Sequence, residues 1–121
     1  MTGNADDNTF YGNEGKDRLF GGDGKDILNG GSGNDILNGG SGSDVFQFSQ
    51  GIATVKNFDV ANDKLDVRGG NSELSFANLQ EVAAAVTGLT SGNLRIEQGG
   101  VVMIIEGFTF EELSVFNFLF A

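Results

Sequence analysis

Four aspartates, Asp17, Asp26, Asp35 and Asp44, recur every nine residues, each two positions after a glycine. A carboxylate placed periodically beside a residue that lets backbone carbonyls converge is an oxygen-donor pattern, suited to a hard cation. All ten Asp lie in the first 70 residues, with 15 of the 20 Gly, whereas six of the seven Glu come later. Asp and Gly favour tight turns, and Glu fits helices better. The chain has no Cys and no His, which removes thiolate chemistry, a disulfide framework and the commonest zinc ligand. An ion held here is therefore Ca²⁺ or Mg²⁺.

The period is a complete nonapeptide. Gly21-Gly22-Asp23-Gly24-Lys25-Asp26-Ile27-Leu28-Asn29 is followed by copies starting at Gly30 and Gly39, and preceded by one starting at Gly12. Asn13 replaces the second glycine in that earlier copy, and Asn tolerates left-handed backbone angles. A degenerate copy, Gly3 to Tyr11, carries Asp6 where Gly belongs and Asn8 where Asp belongs. The eighth position reads Phe10, Leu19, Leu28, Leu37 and Phe46. A large apolar side chain once per repeat points into a core. Positions seven to nine are the glycine-free stretch and so form a short strand, leaving positions one to six as a turn.

Two nonapeptides make one coil of a flattened right-handed parallel β-roll, with a strand on each face. The fold expected is mostly β: five repeats, then a C-terminal β-rich cap with one or two short helices. The division expected is a roll over 1–50 and a cap over 51–121 that continues it. Alternate turns share an edge, so Asp17 stacks over Asp35 and Asp26 over Asp44, with a weaker site between the Asp6–Asn8 region and Asp26. The donors expected are those four aspartates with turn oxygens of Gly12, Glu14, Gly15, Gly21, Gly22, Asp23, Gly24, Gly30, Gly31, Ser32, Gly33, Gly39, Gly40, Ser41 and Gly42. Ca²⁺ takes roughly six to eight oxygens at flexible angles and suits this set better than Mg²⁺, and turn stacking allows roughly three to five ions. Tyr11 and Phe20 at position nine, and Ile27, Ile36 and Val45 at position seven, face away from the interior. They are available to pack against the segment after residue 70 or against a preceding domain.

Net charge is −10 with pI near 4.1. Nucleic acid and anionic membrane surfaces are poor partners for such a chain. Cations are good ones, because folding presses the carboxylates together. The longest aliphatic run, Val101 to Ile105, is far too short to span a bilayer, and the polar start Met1-Thr2-Gly3-Asn4 shows no cleavable signal.

The pattern G-G-x-G-x-D-x-U-x is that of calcium-binding parallel β-helix repeats, and residues 12–47 resemble the repeats-in-toxin family. The resemblance continues past them. Asp44-Val45-Phe46-Gln47-Phe48 looks like a last repeat, and Thr54 to Val67 looks like the family's strand, "DF" turn and "D-K-L-D" strand. Asn57 departs from the Asp often found at its place, which weakens a site there. The resemblance implies Asp63 and Asp66 as further ligands that close the last site, with Asp35 from the facing repeat. It also implies a secreted protein of a Gram-negative-type bacterium. Such a protein stays unfolded in the low-calcium cytosol, passes a type I secretion transporter and folds outside.

Beyond Val67 the pattern changes. Phe76 to Val86 reads as a helix with Asn78 as N-cap and Gly88 past its end. Asn93 to Glu97 and Val101 to Glu106 read as a hairpin around Gly99-Gly100. Thr109-Phe110-Glu111-Glu112 fits a capping box. The apolar ending, Val115 to Ala121, suits both a strand that covers the end of the roll and a secretion signal. Three functions compete. The first is a calcium-driven folding and secretion module of a larger protein, not itself an enzyme. The second is a module for an anionic polysaccharide such as alginate, which needs a basic stripe from Lys16, Arg18, Lys25, Lys56, Lys64 and Arg68. The third, an adhesin or ice-binding face, would need Thr ladders, and position seven carries only Thr9.

Overall fold

The computed structural model describes residues 1–47, 50–66, 86–90, 93–98, 101–107 and 118–119; for 86–90, Gln98 and 118–119 only the backbone is described. Each repeat contributes one short strand at its glycine-free end: β1 (Thr9–Tyr11), β2 (Arg18–Phe20), β3 (Ile27–Asn29), β4 (Asn34–Asn38) and β5 (Val45–Gln47). Odd and even strands separate. β1, β3 and β5 pair in parallel in one sheet, and β2 and β4 in the other. The register advances 18 residues per coil, as in Phe10↔Leu28↔Phe46 and Leu19↔Leu37. A strand of three residues binds too little to persist alone; stacking the coils gives each inner strand two neighbours.

The sheets run on past the repeats. β6 (Ile52–Lys56) pairs with β4, and β7 (Lys64–Asp66) pairs with β5 with one extra residue in the step, Val45↔Lys64. β9 (Asn93–Gln98) and β10 (Val101–Ile105) form an antiparallel hairpin whose second strand lies parallel to β6. β8 (Val86–Thr90) is antiparallel to β9, and β11 (Phe118–Leu119) is parallel to β7. The five-stranded sheet thus reads β1-β3-β5-β7-β11, and the six-stranded one β2-β4-β6-β10-β9-β8.

The hairpin sits where the sequence predicts it. The helix expected to end at Val86 does not reach there: Val86 opens β8, and Gly88 lies inside that strand beside a register shift. Val86, Thr87 and Thr90 are β-branched and Gly88 weakens a helix, so an available strand edge on β9 outweighs helical propensity. The rest of that helix and the capping box at 109–112 fall outside the described residues.

One core column per sheet faces inward. Leu28, Phe46 and Leu65 stack beneath one sheet, and Leu19, Leu37, Val55 and Ile105 beneath the other, all of them buried. Phe58 tucks under the end of the column against Phe46, with ring centroids 6.0 Å apart. Phe10, in the first coil, packs on this core from one side and is half-buried. Position seven is half-buried at Ile27, Ile36 and Val45, whereas Tyr11 and Phe20 stay exposed, at 55 % and 45 %.

The turns are tight because they stack on each other. Gly31 (φ 84°) and Gly33 (φ 112°) have left-handed backbones, and a β-carbon on either would overlap a carbonyl of the coil before it, that of Asn13 or Gly15. Asn13 itself has φ 71°, the left-handed angle its replacement of glycine suggests. Leu37→Ala is expected to destabilise the calcium-loaded protein by roughly 2–5 kcal/mol through the cavity it leaves. Denaturant unfolding in saturating calcium measures this.

Candidate metal centre

Each turn ends on an aspartate that looks both ways along the roll. The backbone N–H of Asp17 donates to Asp35 Oδ1 (2.9 Å), that of Asp26 to Asp44 Oδ1 (2.9 Å), and that of Asp44 to Asp63 Oδ1 (2.9 Å). Asn8 joins the second column, its N–H donating to Asp26 Oδ1 (2.8 Å). One edge therefore carries Asn8–Asp26–Asp44–Asp63, and the other Asp17–Asp35. The Asp17–Asp35 column ends early. Ala53 follows Asp35 in register and Met103 follows Ala53, both apolar.

In Asp26, Asp35 and Asp44 the Oδ1 is committed to the neighbouring coil, and the Oδ2 points into the turn. The Oδ2 atoms of Asp17, Asp26 and Asp44 are buried and have no hydrogen-bond partner among the described residues. Each faces the first glycine of its own repeat. A β-carbon on Gly12 would collide with both Asp17 Oδ2 and the carbonyl oxygen of Gly30; one on Gly21 would collide with Asp26 Oδ2 and the carbonyl of Gly39. Gly30 and Gly39 stand against Asp35 Oδ2 and Asp44 Oδ2. At Gly12 and Gly21, position one is thus a cradle in which oxygens from two coils converge and no N–H among the described residues answers the carboxylate oxygen. Buried carboxylate oxygens left so are costly, and a bound cation removes that cost. The donor set fits a hard cation. Among the described residues no three acidic side chains form one group, so an ion draws most of its roughly six to eight oxygens from the backbone.

The carboxyl groups register this environment. Burial raises Asp44 from 3.8 to about 6 against the backbone N–H of Asp26, and the charges of Asp63 and Asp26 add to the rise. Burial likewise raises Asp35 and Asp63, the latter opposed by backbone N–H groups of Asp59 and Asp44. Asp59 is held below the usual range, chiefly by the Asn62 side chain and the Ala61 N–H.

The other predicted donors divide. Gly15, Gly22, Gly24, Gly31, Gly33, Gly40 and Gly42 all bring left-handed angles to the turns. Asp23 is exposed and accepts from Ser41 Oγ at 2.5 Å, an outward bond between coils. Glu14 is exposed and bridges to Ser32 through the backbone. Asp63 stacks on Asp44, on the edge opposite Asp35. Asp66 stands apart at the end of β7, where its Oδ2 lies 3.4 Å from Gln47 Nε2. Asn57 adopts φ 55°, so this position uses Asn for its backbone. Asp59 was not singled out by the sequence, although the spacing Asp59-x-x-Asn62-Asp63 signals an Asx turn. Among the described residues the basic side chains singled out make no stripe: Arg18 and Lys56 lie on one sheet and Lys64 on the other, and Lys16 and Lys25 lie in turns of opposite edges; Arg68 is outside the described residues.

A parallel β-solenoid whose turns present unanswered carboxylate oxygens is a calcium-binding repeat in form. The sequence agrees: the model of the RTX calcium-binding nonapeptide repeat, four copies long, matches residues 1–28 and 11–46. Residues 1–46 are RTX repeats, and such repeats bind Ca²⁺. Two solved structures share the fold. The AlgE6R3 subunit of the Azotobacter vinelandii mannuronan C5-epimerase is 24 % identical with a TM-score of 0.65, the match covering 100 % of this chain and 81 % of that one. The extracellular lipase LipA of Serratia marcescens is 24 % identical with a TM-score of 0.61, over 100 % of this chain and 20 % of the lipase. No curated protein matches the chain.

Protons and calcium compete for these carboxylates. In chelator, a raised folded-state pKa gives stability that is present near the unfolded value of 3.8 and lost as pH rises through about 6. Resistance of the metal-free protein to denaturant is therefore expected to grow as pH falls through that window. Calcium affinity is expected to fall over the same window, with proton release on binding. Titrations in two buffers of different ionisation enthalpy check both.

Proposed function

We propose that the chain is a calcium-driven folding module of a larger secreted protein. The observation that carries this reading is the set of buried, unanswered Oδ2 atoms of Asp17 on one edge and Asp26 and Asp44 on the other. Calcium supplies positive charge to an acidic column that repels itself without it. The side chains of Asp17, Asp26, Asp35 and Asp44 hold the ions, with turn oxygens such as those of Gly30 and Gly39 completing the shells. Because binding is available only to the folded roll, its free energy adds to folding. A chain that is acidic, glycine-rich and unfolded at low calcium can be exported extended through a type I transporter and take its shape outside the cell. The apolar tail serves the transporter first and the end of the roll afterwards. The repeats over 1–50 and the cap over 51–121 work as one unit, and catalysis belongs to another part of the parent protein.

A cleft, although lined by a single basic residue, favours a second role in saccharide binding. Asn38, Lys56, Asn57, Phe58, Asn93, Glu106 and Gly107 line a space of about 660 Å³ at the ends of β4, β6 and β10. Asn38 and Asn93 turn their Oδ1 atoms to backbone N–H groups of Gly40 and Gly107, and Lys56 pairs with Glu106 at 3.6 Å. If saccharide binding is a main role, calorimetry with alginate oligomers should show saturable heat that weakens in Lys56→Ala; no heat removes it.

The folding role is tested by far-UV circular dichroism of chelator-treated protein titrated with calcium, magnesium being the control. A cooperative gain of β signal with calcium alone is expected. A spectrum already folded in chelator and unmoved by calcium would overturn the folding switch.

A further inference from the structure

The column Asn8–Asp26–Asp44–Asp63 is continuous in its backbone-to-side-chain bonds but differs at its ends. In Asp26 and Asp44 one oxygen accepts an N–H from the neighbouring coil and the other is left unanswered. In Asp63 both oxygens are engaged. Oδ1 accepts the N–H of Asp44 (2.9 Å) and Oδ2 accepts the N–H of Asp59 (2.8 Å). The Asp59 turn is itself fastened. Its carboxylate accepts from Ala61 N–H (3.0 Å) and Asn62 Nδ2 (2.8 Å), and its carbonyl accepts from the N–H groups of Asn62 and Asp63. At the opposite end Asn8 Oδ1 accepts the N–H of Asn4 (3.1 Å), while Asn4 and Asp6 bond each other through side chain and backbone.

We infer that Asp63 is a positioning residue and no calcium ligand: the N–H of Asp59 occupies, at this turn, the role that an ion takes at the turns of Asp26 and Asp44. Asn8 closes the other end of the same edge by the same means, with an uncharged amide. Ions on this edge are thereby confined to the inner turns, and the column stops at both ends without a metal. The chemistry explains why the two ends need different residues inside them. A carboxylate whose two oxygens each accept a backbone N–H is held in place by them. An ion at Oδ2 would have to share that oxygen with the Asp59 N–H, whereas at Asp26 and Asp44 it meets an oxygen with no donor on it. The inference rests on the calcium reading above and narrows it to particular turns.

Ion counting by calorimetry on the full chain tests this, comparing wild type with Asp63→Asn. The amide keeps an acceptor for the Asp44 N–H but presents donors to the Asp59 N–H. The variant is expected to bind as many calcium ions as wild type, while the calcium concentration at half-folding rises several-fold. Loss of one ion in Asp63→Asn overturns the inference. Should the variant fail to fold even in saturating calcium, a crystal structure of the calcium-loaded wild type decides. An ion at coordination distance from Asp63, about 2.3–2.6 Å, overturns the inference, and Asp63 still seated on the Asp59 N–H with no ion supports it. Wild type that binds no calcium defeats the folding-module reading and this inference with it. A wild type that binds while the variant loses an ion defeats this inference alone.

Discussion

The structure depends on a carboxylate divided between two tasks. One oxygen of Asp26, Asp35 and Asp44 receives the backbone N–H of the same position one coil away, 18 residues off in sequence. That bond sets the register of the coils. The second oxygen is thereby forced into the turn, buried and facing other oxygens. At Asp26 and Asp44 the same carboxylate serves the register and creates the site, and no donor among the described residues satisfies its second oxygen. Folding and cation binding are coupled for this reason.

Glycine at position one makes the arrangement possible. At Gly12 and Gly21 the space a side chain would fill is where carboxylate and carbonyl oxygens from two coils meet. The hydrophobic column beneath gives the same turns their permanence. Leu28, Leu37, Phe46, Val55 and Leu65 are fully buried, so coil spacing is held from inside by packing and from the edges by oxygen chemistry. Neither suffices alone in strands this short.

The two edges end differently, and the difference is chemical. One passes from Asp35 to Ala53 and Met103, exchanging oxygen for apolar surface as the hairpin takes over the sheet. The other passes to Asp63, where an Asx turn at Asp59 supplies a backbone donor. Apolar replacement and internal hydrogen bonding are two ways to stop a row of carboxylates without leaving a charge unanswered.

The nonapeptide period determined much by itself. An apolar side chain once in nine residues places Leu19, Leu28, Leu37 and Phe46 in the core; a glycine-free triplet places the strands; Asn at position 13 announces a left-handed angle. The stacking of Asp17 on Asp35 and Asp26 on Asp44 was also legible, because a repeat that makes half a coil can only stack with its next-but-one copy. Beyond the repeats, local pattern carried less. Gly99-Gly100 between alternating runs sufficed for the hairpin, but Val86 to Thr90 read as the end of a helix, since its strand exists only because the edge of β9 was open to it. The tertiary structure alone decided that Asp63 lies over Asp44 and not opposite Asp35, and that Asp66 stands away from the turns. These are matters of which coil a residue joins, set by a one-residue change of register between Val45 and Lys64. Such a shift leaves residue types untouched and changes every neighbour they have.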